Sequence, residues 1–218
     1  IFALGAKAAW SVKNALPHVP LVVASVHDPE RYGLEGSQVT GIQAMVPPET
    51  YLSQVVAFFP EVRRIGVIRG PDDDTSTLDE AADAVGLKVT VRKVDDPAAF
   101  RKALHELARD TDAVWLQPRR SYLTPAGFRS AVQELARRQK PLLAGSTSMV
   151  AAGAAFAVVP DLGGVGRQAA AITLRLLDGA APAIIPVEAP VELATAVNAH
   201  TLEEVPHETL MLDFAEVL

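Results

Sequence analysis

Short apolar runs alternate with helix-length amphipathic segments along almost the whole of this sequence, and that alternation limits the possible folds more than any single motif does. Leu21 to Ala24, Ile65 to Ile68, Val89 to Val94, Ala113 to Leu116, Leu142 to Ala144 and Phe156 to Val159 read as strands. Between them lie segments with helical spacing, such as Phe100, Ala103, Leu104 and Leu107 on one stripe after the helix-start signal Asp96-Pro97. Strands separated by helices predict an α/β fold with parallel sheets covered by helices. Two series stand out, one around residues 1 to 60 and one around 62 to 160.

The first series opens with a strand at Ile1 to Leu4, which feeds Gly5 and a helix from Ala6 to about Leu16. After the strand at Leu21, a stretch containing Gly33, Gly36 and Gly41 reads as a loop. A helix follows with Leu52, Val55, Val56 and Phe59 on one face, stopped at Pro60. In the second series Thr77-x-x-Glu80 has the pattern of a capping box, with Gly86 where a C-terminal cap glycine belongs. Thr124-Pro125 starts a helix carrying Phe128, Val132 and Leu135. A last helix places Val165, Ala169, Ile172 and Leu176 on one side and ends at Asp178-Gly179.

At 218 residues the chain can build one large or two modest domains. Its 49% hydrophobic and 21% charged residues are those of a globular protein rather than a disordered one. No apolar run reaches the roughly 18 to 20 residues of a membrane span. A net charge of -6 without any large Lys/Arg cluster argues against a nucleic-acid surface, so a small molecule or a protein is the expected partner. The absence of cysteine excludes disulfides, a thiolate metal site and a cysteine nucleophile.

Several segments resemble chemical motifs. Gly164, Gly166 and Ala169 fit the G-x-G-x-x-G/A dinucleotide fingerprint, but Gly179, Pro182, Pro186 and Pro190 follow instead of a further run of strand–helix units. Asp72-Asp73-Asp74-Thr75-Ser76 is similar to the nucleophile loop of haloacid-dehalogenase-like phosphatases, although it leads straight into the capping-box pattern, where acidic and hydroxyl residues are expected on local grounds. The five histidines show no ligand spacing, so no metal site is expected, and no serine lies in a G-x-S-x-G elbow. Arg119-Arg120 follows the strand Ala113 to Leu116. Guanidinium groups beyond a strand end suit a carboxylate or phosphate.

Taken together, ALGAKAAWSVKNALPHVPLVVASVHDP, the QVTG of residues 38 to 41, RRIGVIRGP, KPLLAGSTSMVAAGAAFAV, GRQAAAITLRLLDG and PVEAP, with Asn198 beyond it, resemble the substrate-binding proteins of ABC importers, in the tryptophan/tyrosine-type group. The resemblance implies two Rossmann-like lobes with parallel sheets, of the type I periplasmic-binding kind. The first lobe, incomplete, would comprise 1–60 plus 161–180, and the second 61–160 plus 181–218. It further implies hinge closure on a small-molecule ligand, no cofactor, an ABC permease as membrane partner, and an extracytoplasmic location that is compatible with a lipid anchor. The expected ligand-binding positions are Gly5, Ala6, Ser25 and Thr40 in one lobe, and Thr75, Ser76, Gln117, Arg119, Ser146 and Asp161 in or facing the other. The segment from Gly164 would be an interlobe crossing whose glycines shape the turn out of one lobe, with a helix after them.

Two departures from the family pattern carry expectations of their own. Relatives that bind amino acids tend to have an acidic residue, suited to a ligand ammonium, where this chain has Pro118-Arg119-Arg120, so the expected ligand is an anionic or carboxylate-bearing small molecule rather than an amino acid. Relatives also have a strand–helix–strand–helix run before the segment matching IFALGAKAA. The expectation is either a piece of a longer exported protein or a first lobe completed otherwise. The competing readings are a Rossmann-like or phosphatase-like enzyme, and the sensor domain of a regulator.

Overall fold

A computed structural model describes residues 1–117, 121–203 and the strand at 215–217. The chain forms two compact units, Ile1–Pro47 with Pro160–Leu193, and Pro48–Val159 with Ala194–Leu218, so it passes from one to the other three times.

The first unit is built on a parallel sheet of β1 (Phe2–Leu4), β2 (Leu21–Val26), β3 (Val39–Gln43) and β9 (Val187–Glu188), in that order. Helix α1 (Ala6–Ala15) covers one face through Ala9, against Ala3, Leu21 and Val23. Helix α7 (Leu162–Leu177) covers the other with Val165, Ala169 and Ile172, against Val22, Ala24 and Ile42. Burial on both faces is why β2 reads as an unbroken apolar run.

The second unit carries a seven-stranded sheet. Its order is β11 (Ala215–Val217), β10 (Leu193–Val197), β8 (Phe156–Pro160), β7 (Leu142–Ala144), β6 (Ala113–Leu116), β4 (Arg64–Arg69) and β5 (Lys88–Lys93). The pairs from β5 across to β8 are parallel. One face packs on α4 (Pro97–Asp110), α5 (Pro125–Ala136) and the short α6 (Thr147–Ala151), through Phe100, Leu104, Leu107, Phe128, Leu135 and Val150. The sequence caps are in place here: Asp96 accepts from the Ala98 and Ala99 N–H groups, and Thr124 accepts from that of Gly127. On the other face α2 (Pro48–Phe58) brings Tyr51 and Phe58 onto Trp115 and Phe156. Helices α3 (Leu78–Ala84) and α8 (Ala199–Leu202) complete the set.

Five expectations are corrected. Helix α2 belongs to the second unit and not to the first, because its apolar face meets Trp115 and Phe156, and residues 181–193 go with the first unit, where β9 pairs with β3. Gly41 lies inside strand β3 rather than in a loop. It adopts φ +141°, and a Cβ there would stand 1.9 Å from the Val23 carbonyl oxygen, so β3 approaches β2 as only glycine allows. Thr77 precedes α3 in a helical conformation with no side-chain cap bond, so the capping box does not form. Gly164 and Gly166 are helical residues of α7, which starts at Leu162, and do not shape a turn before it.

Candidate functional site

In open parallel sheets, ligands bind beyond the C-terminal ends of the strands, where loops present N–H groups and polar side chains. Each unit has such an edge.

In the first unit the β1 end places Gly5 at φ +82° as the residue before α1, its N–H donating to the Ala24 carbonyl at 2.8 Å. Ala6 opens the helix and packs partly against the α1-side core. On the neighbouring strand Ser25 sits at a register shift of β2, with φ +57°, a left-handed conformation that is strained for a non-glycine residue. Gly5, Ala6 and Ser25 thus come together at adjoining strand ends. Thr40 does not join them. It is the second residue of β3, fully buried, and its hydroxyl donates to the Pro186 carbonyl at 3.3 Å; its role is internal to the sheet.

Asp161 is likewise committed. Its carboxylate caps α7, accepting from the Gly164 N–H at 2.6 Å, and it lies 3.6 Å from Arg167, which also pairs with Glu192 at 2.5 Å. A pyrophosphate at this helix start would face that carboxylate, and two fingerprint glycines are already inside the helix. The geometry is that of a capped helix, not of a dinucleotide loop.

In the second unit the loop after β4 holds Thr75 and Ser76. The Gly70 N–H donates to Asp73 at 2.8 Å, and the Ser76 N–H to Asp74 at 2.9 Å, a bond that leads the Asp74 carboxyl to fall below its ordinary range. The acidic run therefore serves local turns. Ser146 precedes α6 with its hydroxyl 3.0 Å from that of Ser148. Gln117 follows β6 directly and is 8% exposed. Arg119 lies outside the described residues. Among the described residues no group of three or more His, Cys, Asp or Glu side chains could hold a metal, and no helix is long and apolar enough to cross a membrane.

The sequence reading passed over three residues at this edge. Arg69, the last residue of β4, is only 6% exposed, and its guanidinium carbon lies 5.1 Å from the centre of the Trp115 ring. Tyr51 stacks on the same tryptophan with ring centres 4.2 Å apart, and its hydroxyl donates to the Ala144 carbonyl, at the end of β7, at 2.8 Å. Burial pushes the Tyr51 hydroxyl far above its ordinary value of 10.0. The indole N–H of Trp115 is buried and meets no acceptor among the described residues. The available signal was a charged residue closing the apolar run Ile65 to Ile68.

Two α/β units, each on a parallel sheet, form a periplasmic-binding-protein fold. A ligand-free, open substrate binding protein with adhesive properties from Clostridium difficile matches with TM-score 0.78 at 19% identity, over 100% of this chain and 77% of that one. The ABC domain in complex with L-Trp from Streptococcus pneumonia matches with TM-score 0.68 at 23% identity, over 96% and 74%. A conserved domain protein of Vibrio cholerae matches with TM-score 0.70 at 20% identity, over 99% and 77%.

Residues 1–209 match the family described as ABC transporter substrate binding protein, and the chain belongs to that family. It is 23% identical to the tyrosine-binding protein of Clostridioides difficile strain R20291 over 98% of its own length, and it spans 64% of the length of that curated relative.

Proposed function

We propose that this chain is the solute-binding component of an ABC importer, which captures a small carboxylate-bearing molecule by hinge closure and presents it to a membrane permease on the extracytoplasmic side. The family match along residues 1–209 carries this reading. It is supported by the strand ends of each unit, where Ser25 in the first unit and Gln117 and Ser146 in the second bring polar side chains to the edge at which parallel sheets take ligands. The role is binding, without a chemical step or a cofactor.

The relatives narrow the solute class. One is named for tyrosine, and one structure holds L-Trp. Both molecules carry a carboxylate, as simple organic acids do.

A thermal-shift panel of L-tyrosine, L-tryptophan, succinate, NAD and ATP tests the reading. A ligand that binds only the folded chain adds about 2.7 kcal/mol of stability at one hundred times its Kd. The expected result is a raised melting temperature with at least one carboxylate solute. A shift with NAD or ATP and with none of the organic solutes would overturn it.

A further inference from the structure

The large apolar side chains left exposed among the described residues all lie in the first unit, Phe2, Leu4, Trp10, Leu174 and Leu177 among them. Sheet geometry accounts for part of this. A helix with its side chains is about 10 Å across and strands lie about 4.8 Å apart, so one helix covers two strands. On the face it occupies, α7 covers β2 and β3 through Val22, Ala24 and Ile42. The neighbouring β1 runs in register with Phe2 opposite Val22 and Leu4 opposite Ala24, so these side chains share that face. Val22 and Ala24 are buried beneath the helix, whereas Phe2 and Leu4 are 52% and 64% exposed.

Beside this uncovered strand stands an apolar flank of α7. The flank toward β9 is occupied: Gln168 donates to Glu188 and to the Ala189 carbonyl, and Arg175 pairs with Glu188 at 3.8 Å. At about 100° per residue the opposite flank, toward β1, carries Leu162, Gly166, Ala170 and Leu177, and Leu174 follows on the side away from the sheet. A helix that packs only on its own sheet keeps polar side chains on that outer side. Leu174 is 60% exposed there, so the apolar surface of α7 runs past what one more helix beside it would cover.

We propose that this surface docks a second copy of the chain, with the α7 helices of the two copies packed antiparallel about a two-fold axis. The row Leu162, Gly166, Ala170, Leu174 is its own complement in that arrangement. An axis level with Gln168 sets Leu162 against Leu174 of the other copy and Gly166 against its Ala170. Leucines meet at both ends, and small residues at the centre let the helices approach. The second helix stands over β1 and covers Phe2 and Leu4, and Leu174 becomes enclosed. Helix α7 has 16 residues, about 24 Å, and with one strand beside it is about 15 Å across, a footprint of roughly 360 Å² per copy. A standard interface uses about 800 Å² per partner, so the pair is weak, with a dissociation constant on the order of micromolar or above. This self-association is independent of the solute-binding reading.

Sedimentation velocity of the chain from about 1 to about 300 μM, a range that brackets such a constant, tests this. The expected result is a rise from monomer to dimer mass with no larger species. Leu174→Glu replaces a side chain that the single copy leaves exposed, and is expected to weaken the dimer by about tenfold or more. Trp10→Glu, on α1 at the opposite face of the sheet, is expected to leave it unchanged. Circular dichroism reports whether each variant stays folded. The chain has no cysteine, so Leu162→Cys combined with Leu174→Cys maps the register. Within one copy these positions are about 18 Å apart along the helix, beyond the roughly 7 Å that a disulfide spans. On mild oxidation the double variant is expected to form a covalent dimer and neither single variant to do so. A monomer at every concentration, or a dimer that a folded Leu174→Glu leaves intact, would overturn the docking surface. Equal covalent dimer from either single variant would overturn the antiparallel register.

Discussion

Tyr51 lies flat against Trp115, with ring centres 4.2 Å apart and planes inclined by 10°, and its hydroxyl reaches the backbone of β7 at Ala144. This contact ties α2 to the sheet of the second unit. Tyr51→Phe keeps the stack and leaves the Ala144 carbonyl without its donor, so it is expected to cost about 1 to 2 kcal/mol. Tyr51→Ala also empties the ring site and is expected to cost about 3 to 5 kcal/mol. Urea unfolding of the two variants measures both values, and equal costs would contradict the stacking role.

The same tyrosine sets an alkaline limit. Burial raises its folded-state value above the ordinary 10.0, so above pH 10 the unfolded chain releases a proton that the folded chain retains. Stability from this group is therefore complete below that pH and declines as pH rises further. Denaturant midpoints between pH 9 and 11 are expected to fall for the parent and to fall less for Tyr51→Phe.

At the other end of the sheet Asp112 accepts from the N–H groups of Arg63 and Arg64 at 3.0 and 2.8 Å, and from the Arg64 guanidinium at 2.8 Å. Burial pushes its carboxyl up, but these three bonds prevail and hold it below its ordinary value. A lowered folded value means stability that is present above the unfolded value and is lost as pH falls through the folded one. Asp112→Asn is expected to cost about 1 to 3 kcal/mol at pH 7. The gap from the parent should narrow in acid, which urea midpoints at pH 7 and pH 3 would reveal.

The strands and the principal helices were legible because both faces of the sheets are buried, which makes runs such as Ala113 to Leu116 wholly apolar. What periodicity does not encode is which sheet a helix packs on. The stripe of Leu52 and Val55 announces a core, yet only the three-dimensional contact of Tyr51 with Trp115 assigns α2 to the second unit. Gly41 was misread because a glycine signals a loop or a close backbone approach with the same letter. Thr40 and Asp161 were plausible ligand contacts by residue type, but the carbonyl of Pro186 and the N–H of Gly164 claim them. Arg69 escaped notice because a charged strand end gains meaning only beside its neighbour on the adjacent strand.

Two glycines of α7 separate close packing from simple helix propensity. At Gly164 a Cβ would stand 2.4 Å from that of Glu192, whereas at Gly166 nothing lies within 4 Å. Gly166→Ala is expected to stabilise the chain by about 0.5 to 1 kcal/mol. Gly164→Ala must displace the segment that pairs with Arg167, and is expected to destabilise it by about 1 to 3 kcal/mol. Thermal unfolding of both variants checks the opposite signs.

Calorimetric titration of the parent chain tests the central claim most directly, with L-tryptophan, L-tyrosine and succinate set against NAD and ATP. One carboxylate solute binding with one-to-one stoichiometry is the expected result. Binding of NAD or ATP, with no heat from any of the three acids, would contradict it.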